Sequence, residues 1–419
     1  MIKKMAQDTI LAIDDYVNFL LDINKKCKTY RNKLEKKADY DDEDYYEIIC
    51  EKVSKYIKLK LSKINKEIEG YQNRNINDTD FTNTGIIVKN INNNMMISIL
   101  ALINNFSTKS KVDFHPGSDN RVRDLVHPSI YPLVNQEENI QVKKTDFWSR
   151  PYESSKFQWL PSEFSIDDNG KCIIKSYINN LPIEEGNLYS NIANLFETVL
   201  PELEKSWAYA NSIHIFKENG NMCGNTRNML KNGADVSLKN RTLQVITKIV
   251  QINLKPNDKF LGSWHVEGMS HENIVATASC TLEQSDDIET KLYFKRAYYE
   301  EEADHLLMNS HNVPSEISNL YHSNLVPIGN VNIKEGMMVV FPNNMVHKVD
   351  MINTTNEPKV RTIVVFWLID PNVRIISTSD IPQQKYDWNE AMKVRMNLMT
   401  ERTFYKQSFN QREINLCEH

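Results

Sequence analysis

The sequence predicts an α+β protein, a helical N-terminal region followed by a barrel or sandwich of short strands. In residues 1–110 apolar side chains recur at spacings of three and four, first Ile10, Ile13, Val17 and Leu20, then Val53, Ile57, Leu61, Ile64 and Ile68. Beyond Asn240 the texture changes to short runs rich in Val, Ile, Phe and Thr, bounded by Gly, Pro and Asn. No long helical pattern alternates with those runs, which argues against a doubly wound parallel sheet.

Taken in order, the first helix precedes an acidic run (Asp39, Asp41, Asp42, Glu43, Asp44) that suits the N-terminal dipole of a second helix. That helix carries Lys52, Lys55, Lys58, Lys60, Lys63 and Lys66, which read as its solvated side. A third short helix covers Met95 to Asn105. Residues 112–165 hold five X-Pro steps, from His115-Pro116 to Leu160-Pro161, and read as extended, irregular chain. A further helix runs from Leu188 to Trp207 despite Pro201, and 208–240 is a polar Gly/Asn-rich loop. Strands follow at Leu243 to Leu254, Ile274 to Leu282, Lys291 to Lys295, Met337 to Phe341 and Thr362 to Ile369, and a last helix at Tyr386 to Arg402. The expected division is a helical region 1–110, a β core 111–384 with an irregular lead-in, and a C-terminal helix and tail 385–419.

Composition narrows the function classes. Hydrophobic residues are 41% of the 419, enough for a sizeable core. Fifty Lys and Arg against 55 Asp and Glu give a net charge of −5, unlike a protein that coats nucleic acid through bulk charge. The longest apolar run falls well short of the roughly 20 residues of a membrane span. The opening residues, with Asp8, Asp14 and Asp15 around a short apolar patch, are unlike a signal peptide. Six Cys without a CxxC pair imply neither a disulfide scaffold nor a zinc ribbon. The expectation is a soluble intracellular protein, cytoplasmic or nuclear.

The chemistry concentrates in GSWHVEGMSHENIVATASC, residues 262–280. His265 and Glu267 are two apart, so an extended backbone projects both to one face. Alone, such a pair is weak. About 80 residues on, an apolar strand ends at Phe341, Pro342-Asn343-Asn344 turns, and the chain returns through His347. Cupin-like double-stranded β-helices bring a last metal ligand back to the barrel mouth in this way, and two His with one carboxylate form the facial triad of non-heme Fe(II). By itself His347 reads as a half-buried structural histidine; beside the upstream pair it reads as a ligand. Arg361, 14 residues after His347 at the start of TIVVFWLID, can hold a carboxylate with its planar fork, or pair with a surface acid. Trp264 and Gln251, on the strands leading to the triad, are either cosubstrate contacts or ordinary packing. His271 is set aside because a turn after Gly268 breaks the alternation. His305, His311 and His322 read as loop histidines.

These residues resemble the Fe(II)/2-oxoglutarate-dependent oxygenase superfamily, whose signature is His-x-Asp/Glu, a distant His, and an Arg or Lys shortly after it. More narrowly the chain resembles an uncharacterised family in it with a WHVEG signature, through VHPSIYPL (126–133), QWLPSEFSIDDNGK and SYINNL (158–181), LQVITKI (243–249), GSWHVEGM (262–269), VVFPNNMVHKV (339–349) and FWLIDP (366–371). The resemblance implies a double-stranded β-helix (jelly-roll) core with Fe(II) on His265, Glu267 and His347. It implies 2-oxoglutarate held by Arg361, or by Lys295 in KLYFKR, since JmjC-type relatives use a Lys on a middle strand. The implied enzyme is a dioxygenase that hydroxylates its substrate and releases succinate and CO2. Two alternatives stay open: a metal cupin that uses no 2-oxoglutarate, and a catalytically silent barrel that serves as a binding module. A protein side chain or small molecule is the expected substrate rather than nucleic acid, with no membrane partner and with homo-oligomer formation open to the N-terminal helices. Residues 1–110 contain no histidine, so a chain starting near Val112 is expected, if it stays soluble, to keep metal and 2-oxoglutarate binding but to lose turnover of its true substrate.

Overall fold

The computed structural model describes residues 2–37, 42–77, 84–134, 156–210, 217–218, 221–222, 237–296, 325–383 and 387–410. His305, His311, His322 and most of the 208–240 loop lie outside them. Five long helices are α1 (Ile2–Glu35), α2 (Asp42–Gln72), α3 (Asn93–Lys109), α4 (Gly186–Ala210) and α5 (Trp388–Asn410). Asn92 starts α3 by accepting the Asn94 and Met95 N–H groups, and α4 runs through Pro201 as expected.

Apart from two pairs of two-residue strands, the described strands are β1 (Ile87–Asn90), β2 (Val122–Val126), β3 (Ser162–Ile166), β4 (Cys172–Ile174), β5 (Arg241–Leu254), β6 (Lys259–Leu261), β7 (Ile274–Gln284), β8 (Ile288–Arg296), β9 (Val326–Ile333), β10 (Met337–Pro342), β11 (Val346–Asn353) and β12 (Lys359–Ile369). They form two antiparallel sheets. The larger has the order β1-β10-β7-β12-β5-β3-β4, with β2 also on β5; the smaller has the order β6-β11-β8-β9. From β5 to β12 the chain passes between the sheets repeatedly, so that each sheet receives four of these eight strands.

Alternation along the large sheet splits its side chains between two cores. Ile249, Ala278, Val340, Val364 and Phe366 face outward onto Ile99 and Ile103 of α3 and Leu195, Phe196 and Val199 of α4. Val339 and Phe341 face the small sheet and join Leu292, Phe294, Val331 and Ile333. Tyr16, Leu20 and Ile23 of α1 and Val53, Ile57 and Ile64 of α2 complete that second core and cover β9. Its free edge is closed by chain just after α2, where Ile76 N–H donates to the Asn330 carbonyl and Asn330 N–H to the Arg74 carbonyl, both at 2.7 Å.

Residues 1–110 are therefore not purely helical. β1 pairs with β10 over four residues, and α3 covers the outer face of the same sheet. A chain starting near Val112 would strip a strand and a helix from the large sheet, which bears on the condition that it stays soluble. β9 was also missed from sequence, because VPIGNVNI carries the Pro and Gly that mark loops. No described helix is long and apolar enough to cross a membrane.

Candidate metal centre

His265 and Glu267 lie just beyond β6 and His347 near the start of β11. His265 N–H donates to the His347 carbonyl at 3.0 Å and His347 N–H to the His265 carbonyl at 2.9 Å, so the two residues form one antiparallel bridge. Close approach of the two chains needs Gly262, where a Cβ would stand 2.5 Å from the Val349 carbonyl oxygen. After Glu267 the chain turns sharply at Gly268, whose φ of +65° favours glycine.

The ring protons follow from the partners. His265 Nδ1 lies 2.8 Å from the Ser263 carbonyl and His347 Nδ1 3.1 Å from the Met345 carbonyl. Carbonyls only accept, so both Nδ1 atoms donate, and in the neutral rings each Nε2 keeps a lone pair. Those lone pairs meet the Glu267 carboxylate, with Oε1 at 3.3 Å from His347 Nε2 and 3.7 Å from His265 Nε2. Three electron-rich ligand atoms converging on one point is the geometry a divalent cation relieves, with carbonyls fixing the ring orientation. Burial, with His265 beside it, pushes His347 down, keeping that ring neutral. Phe341 lies edge-on to the His347 ring at 4.7 Å and Phe294 tilts against it at 6.3 Å.

Arg361 is buried on the interior face of β12. One guanidinium nitrogen donates to Thr281 Oγ1 at 3.1 Å, another approaches Met351 Sδ at 3.7 Å, and Nε has no partner. No carboxylate pairs with it among the described residues, and burial pushes it down to about 10, still cationic at neutral pH. Met351 stands four residues along β11 from His347 on the same face, roughly 13 Å away at strand spacing.

The other sequence candidates sit elsewhere. Gln251 is corrected as a cosubstrate contact: Arg361 pairs with Ile252, so Gln251 points to the opposite face, where its amide donates to Asn104 of α3 at 3.0 Å. Lys295 and Trp264 meet each other. Lys295 Nζ lies 4.5 Å above the Trp264 ring, with Lys348 at 5.6 Å. Phe294 packs on the His347 ring, so its neighbour Lys295 projects from the other face of β8. Burial, then the charge of Lys348, lowers the Lys295 pKa. His271 turns away and donates to the Phe157 carbonyl at 3.0 Å.

A second cluster, His115, Asp124 and His127, has ligand-type atoms equally close together and went unnoticed in the sequence. It differs in proton content. His127 Nδ1 accepts the Ser129 N–H at 3.1 Å, which puts its proton on Nε2, and Asp124 is already bound by Arg395 and His115. That set is a proton-filled polar network, with Arg395 as its cation.

A family model described as "Protein of unknown function (DUF4246)" matches residues 51–228 and 207–392, which takes in every residue of the metal centre. The chain belongs to the DUF4246 family. No curated protein matches this DUF4246 chain. Among solved structures it is similar to a prolyl hydroxylase of Trichoplax adhaerens in complex with a hypoxia inducible factor peptide, at 9% identity and a TM-score of 0.32, over 74% of this chain and 93% of that one. It is similar also to a Pseudomonas putida prolyl-4-hydroxylase (7%, TM-score 0.31, 69% and 95% covered) and to IDO from Bacillus thuringiensis (9%, TM-score 0.35, 69% and 95% covered). Likeness this distant carries no residue across to the DUF4246 chain.

Proposed function

We propose that the protein is an Fe(II)- and 2-oxoglutarate-dependent oxygenase whose core, β5 to β12, is a double-stranded β-helix. The strand orders β10-β7-β12-β5 and β6-β11-β8-β9 support that reading of the fold. The observation that carries the function is the pairing, in one barrel interior, of a three-atom ligand set with a buried guanidinium that has no anion among the described residues.

His265 and His347 present Nε2 lone pairs, Glu267 adds the anionic ligand, and three ligands leave positions open for a chelating cosubstrate and O2. Bound there, Fe(II) with 2-oxoglutarate would supply oxidation of a substrate C–H bond, with release of succinate and CO2. Arg361 binds the far carboxylate of the cosubstrate, which supplies the anion its burial lacks. Phe341 and Phe294 keep water from the His347 side. Thr277 and Trp367, cross-strand neighbours on the interior face, each bury a polar atom that has no partner among the described residues and is open to a ligand oxygen.

Arg361 favours this reading over a cupin that needs no 2-oxoglutarate, since a buried cation without an anion is costly unless a ligand completes it. The complete ligand set favours it over a silent barrel. Arg361 is a better anchor than Lys295, which projects from the other face beside Trp264. The substrate class proposed is a protein side chain or a small molecule, hydroxylated as product. Succinate formation from 2-oxoglutarate, measured with Fe(II) and ascorbate, tests the reading. Succinate above the His265→Ala background supports it. Metal binding without 2-oxoglutarate binding would favour the cupin alternative.

A further inference from the structure

The three ligands of the metal centre are not held alike. His265 and His347 belong to paired chain and fix each other through two backbone hydrogen bonds. Glu267 lies past that bridge, in a loop that turns at Gly268, yet its carboxylate must stay close to both imidazoles.

One side chain supplies what the sheet does not. Asn343 Oδ1 accepts the Glu267 N–H at 3.0 Å, and its Nδ2 donates to the Glu267 carbonyl at 2.9 Å. A single amide thus meets both backbone groups of Glu267, as a neighbouring strand would. The same Nδ2 reaches the Ile274 carbonyl at 3.2 Å, and the Asn343 N–H donates to the Val275 carbonyl at 2.9 Å. The clamp is therefore anchored to the start of β7. Asn343 sits in the turn between β10 and β11, four residues before His347. The turn that delivers the third ligand also holds the second.

Resting on the metal-centre reading above, we infer that Asn343 is the positioning residue for Glu267, acting on metal affinity through that carboxylate alone. Only an amide fits the pattern, with an acceptor for the N–H and a donor for two carbonyls. Asn343→Asp keeps the size and the first bond but turns an oxygen toward both carbonyls. Asn344, the next residue of the turn, is exposed and makes no contact of this kind in the described structure.

The test is Co(II) titration of the metal-depleted full-length protein, followed by visible absorption, for wild type, Asn343→Ala, Asn343→Asp, Asn344→Ala, Glu267→Ala and the Asn343→Ala/Glu267→Ala double variant. Loss of an outer-shell partner predicts a Co(II) Kd raised roughly 10- to 100-fold in both Asn343 variants, with Asn344→Ala unchanged. Once Glu267 is gone, Asn343→Ala should add less than about twofold, and the Asn343→Ala spectrum should move toward that of Glu267→Ala. A loss of the same size in both backgrounds would mean general loosening of the barrel and would overturn the inference, as would wild-type affinity in Asn343→Ala. If Asn343→Ala does not fold, Asn343→Asp in the two backgrounds decides by the same comparison. Wild type that binds no Co(II) would overturn the metal-centre reading itself, and the inference with it.

Discussion

His265 donates from Nδ1 to the Ser263 carbonyl at 2.8 Å, whereas His127 accepts at Nδ1 from the Ser129 N–H at 3.1 Å, so the two imidazoles hold their protons on opposite nitrogens. His265 thereby keeps a lone pair on Nε2 for a cation, and His127 keeps a donor. Two clusters, each of two histidines and a carboxylate, differ in chemistry because a carbonyl stands behind His265 and an N–H behind His127.

The first prediction is one divalent metal per chain. His265→Ala and His347→Ala should each abolish tight binding of Mn(II) or Co(II), while His127→Gln leaves the stoichiometry at one. Metal analysis after dialysis checks it; two metals per chain would show the His115 cluster to be a second centre.

Arg361 gives a prediction in two directions. Arg361→Met should remove 2-oxoglutarate binding, measured by calorimetry on the Mn(II) form. The ligand-free protein should become more stable by about 1–3 kcal/mol, the cost of an unsatisfied buried polar group. A variant less stable than wild type would mean the guanidinium has a stabilising role in the empty barrel.

Arg395 of α5 donates to Asp113 and Asp124, and Arg402, seven residues on, donates to Glu272 while lying over the Trp159 ring at 4.0 Å. Two buried arginines, in three charge pairs, thus fasten α5. Arg395→Ala leaves Asp113 without its cation and Asp124 with His115 alone, and should cost roughly 3–5 kcal/mol in urea unfolding. An effect below about 1 kcal/mol, the scale of an exposed ion pair, would show those carboxylates to be hydrated.

Asp124 also predicts an acid limb. Burial opposes its ionisation, but His127 and the hydrogen bond from His115 hold its carboxyl below the ordinary range. A lowered folded-state pKa contributes stability that is present above the unfolded value near 3.9 and lost as pH falls below it. Wild type should therefore lose stability below about pH 4 more steeply than Asp124→Asn, by up to about 1.4 kcal/mol per pH unit. Equal slopes would remove Asp124 from the acid response.

The N-terminal region supplies the last prediction. A truncation beginning at Val112 loses β1 and α3 and should be insoluble or bind hydrophobic dye, because the outer face of the large sheet is uncovered. A soluble, metal-binding product would show that the barrel closes without them.

Local pattern was enough for the helices α1 to α5 and for most of the long strands, because apolar periodicity reflects which face is buried. It also put His265 and Glu267 forward, whose i, i+2 spacing is a local property, and His347 and Arg361 by the strand and turn around them. What needed the tertiary structure was everything set by alternation against a distant neighbour. Register with β12 turned Gln251 outward, and pairing with β11 turned Lys295 to Trp264, since one residue's step along a strand reverses the face. β1 and β9 were invisible because their short or Gly/Pro-bearing sequences are strands only by virtue of their partners. Asn343 stands 76 residues from Glu267, and His115 and Asp124 are 280 and 271 residues from Arg395. Such hydrogen bonds leave no spacing signal, because the chain between two contacts can take any length that folds.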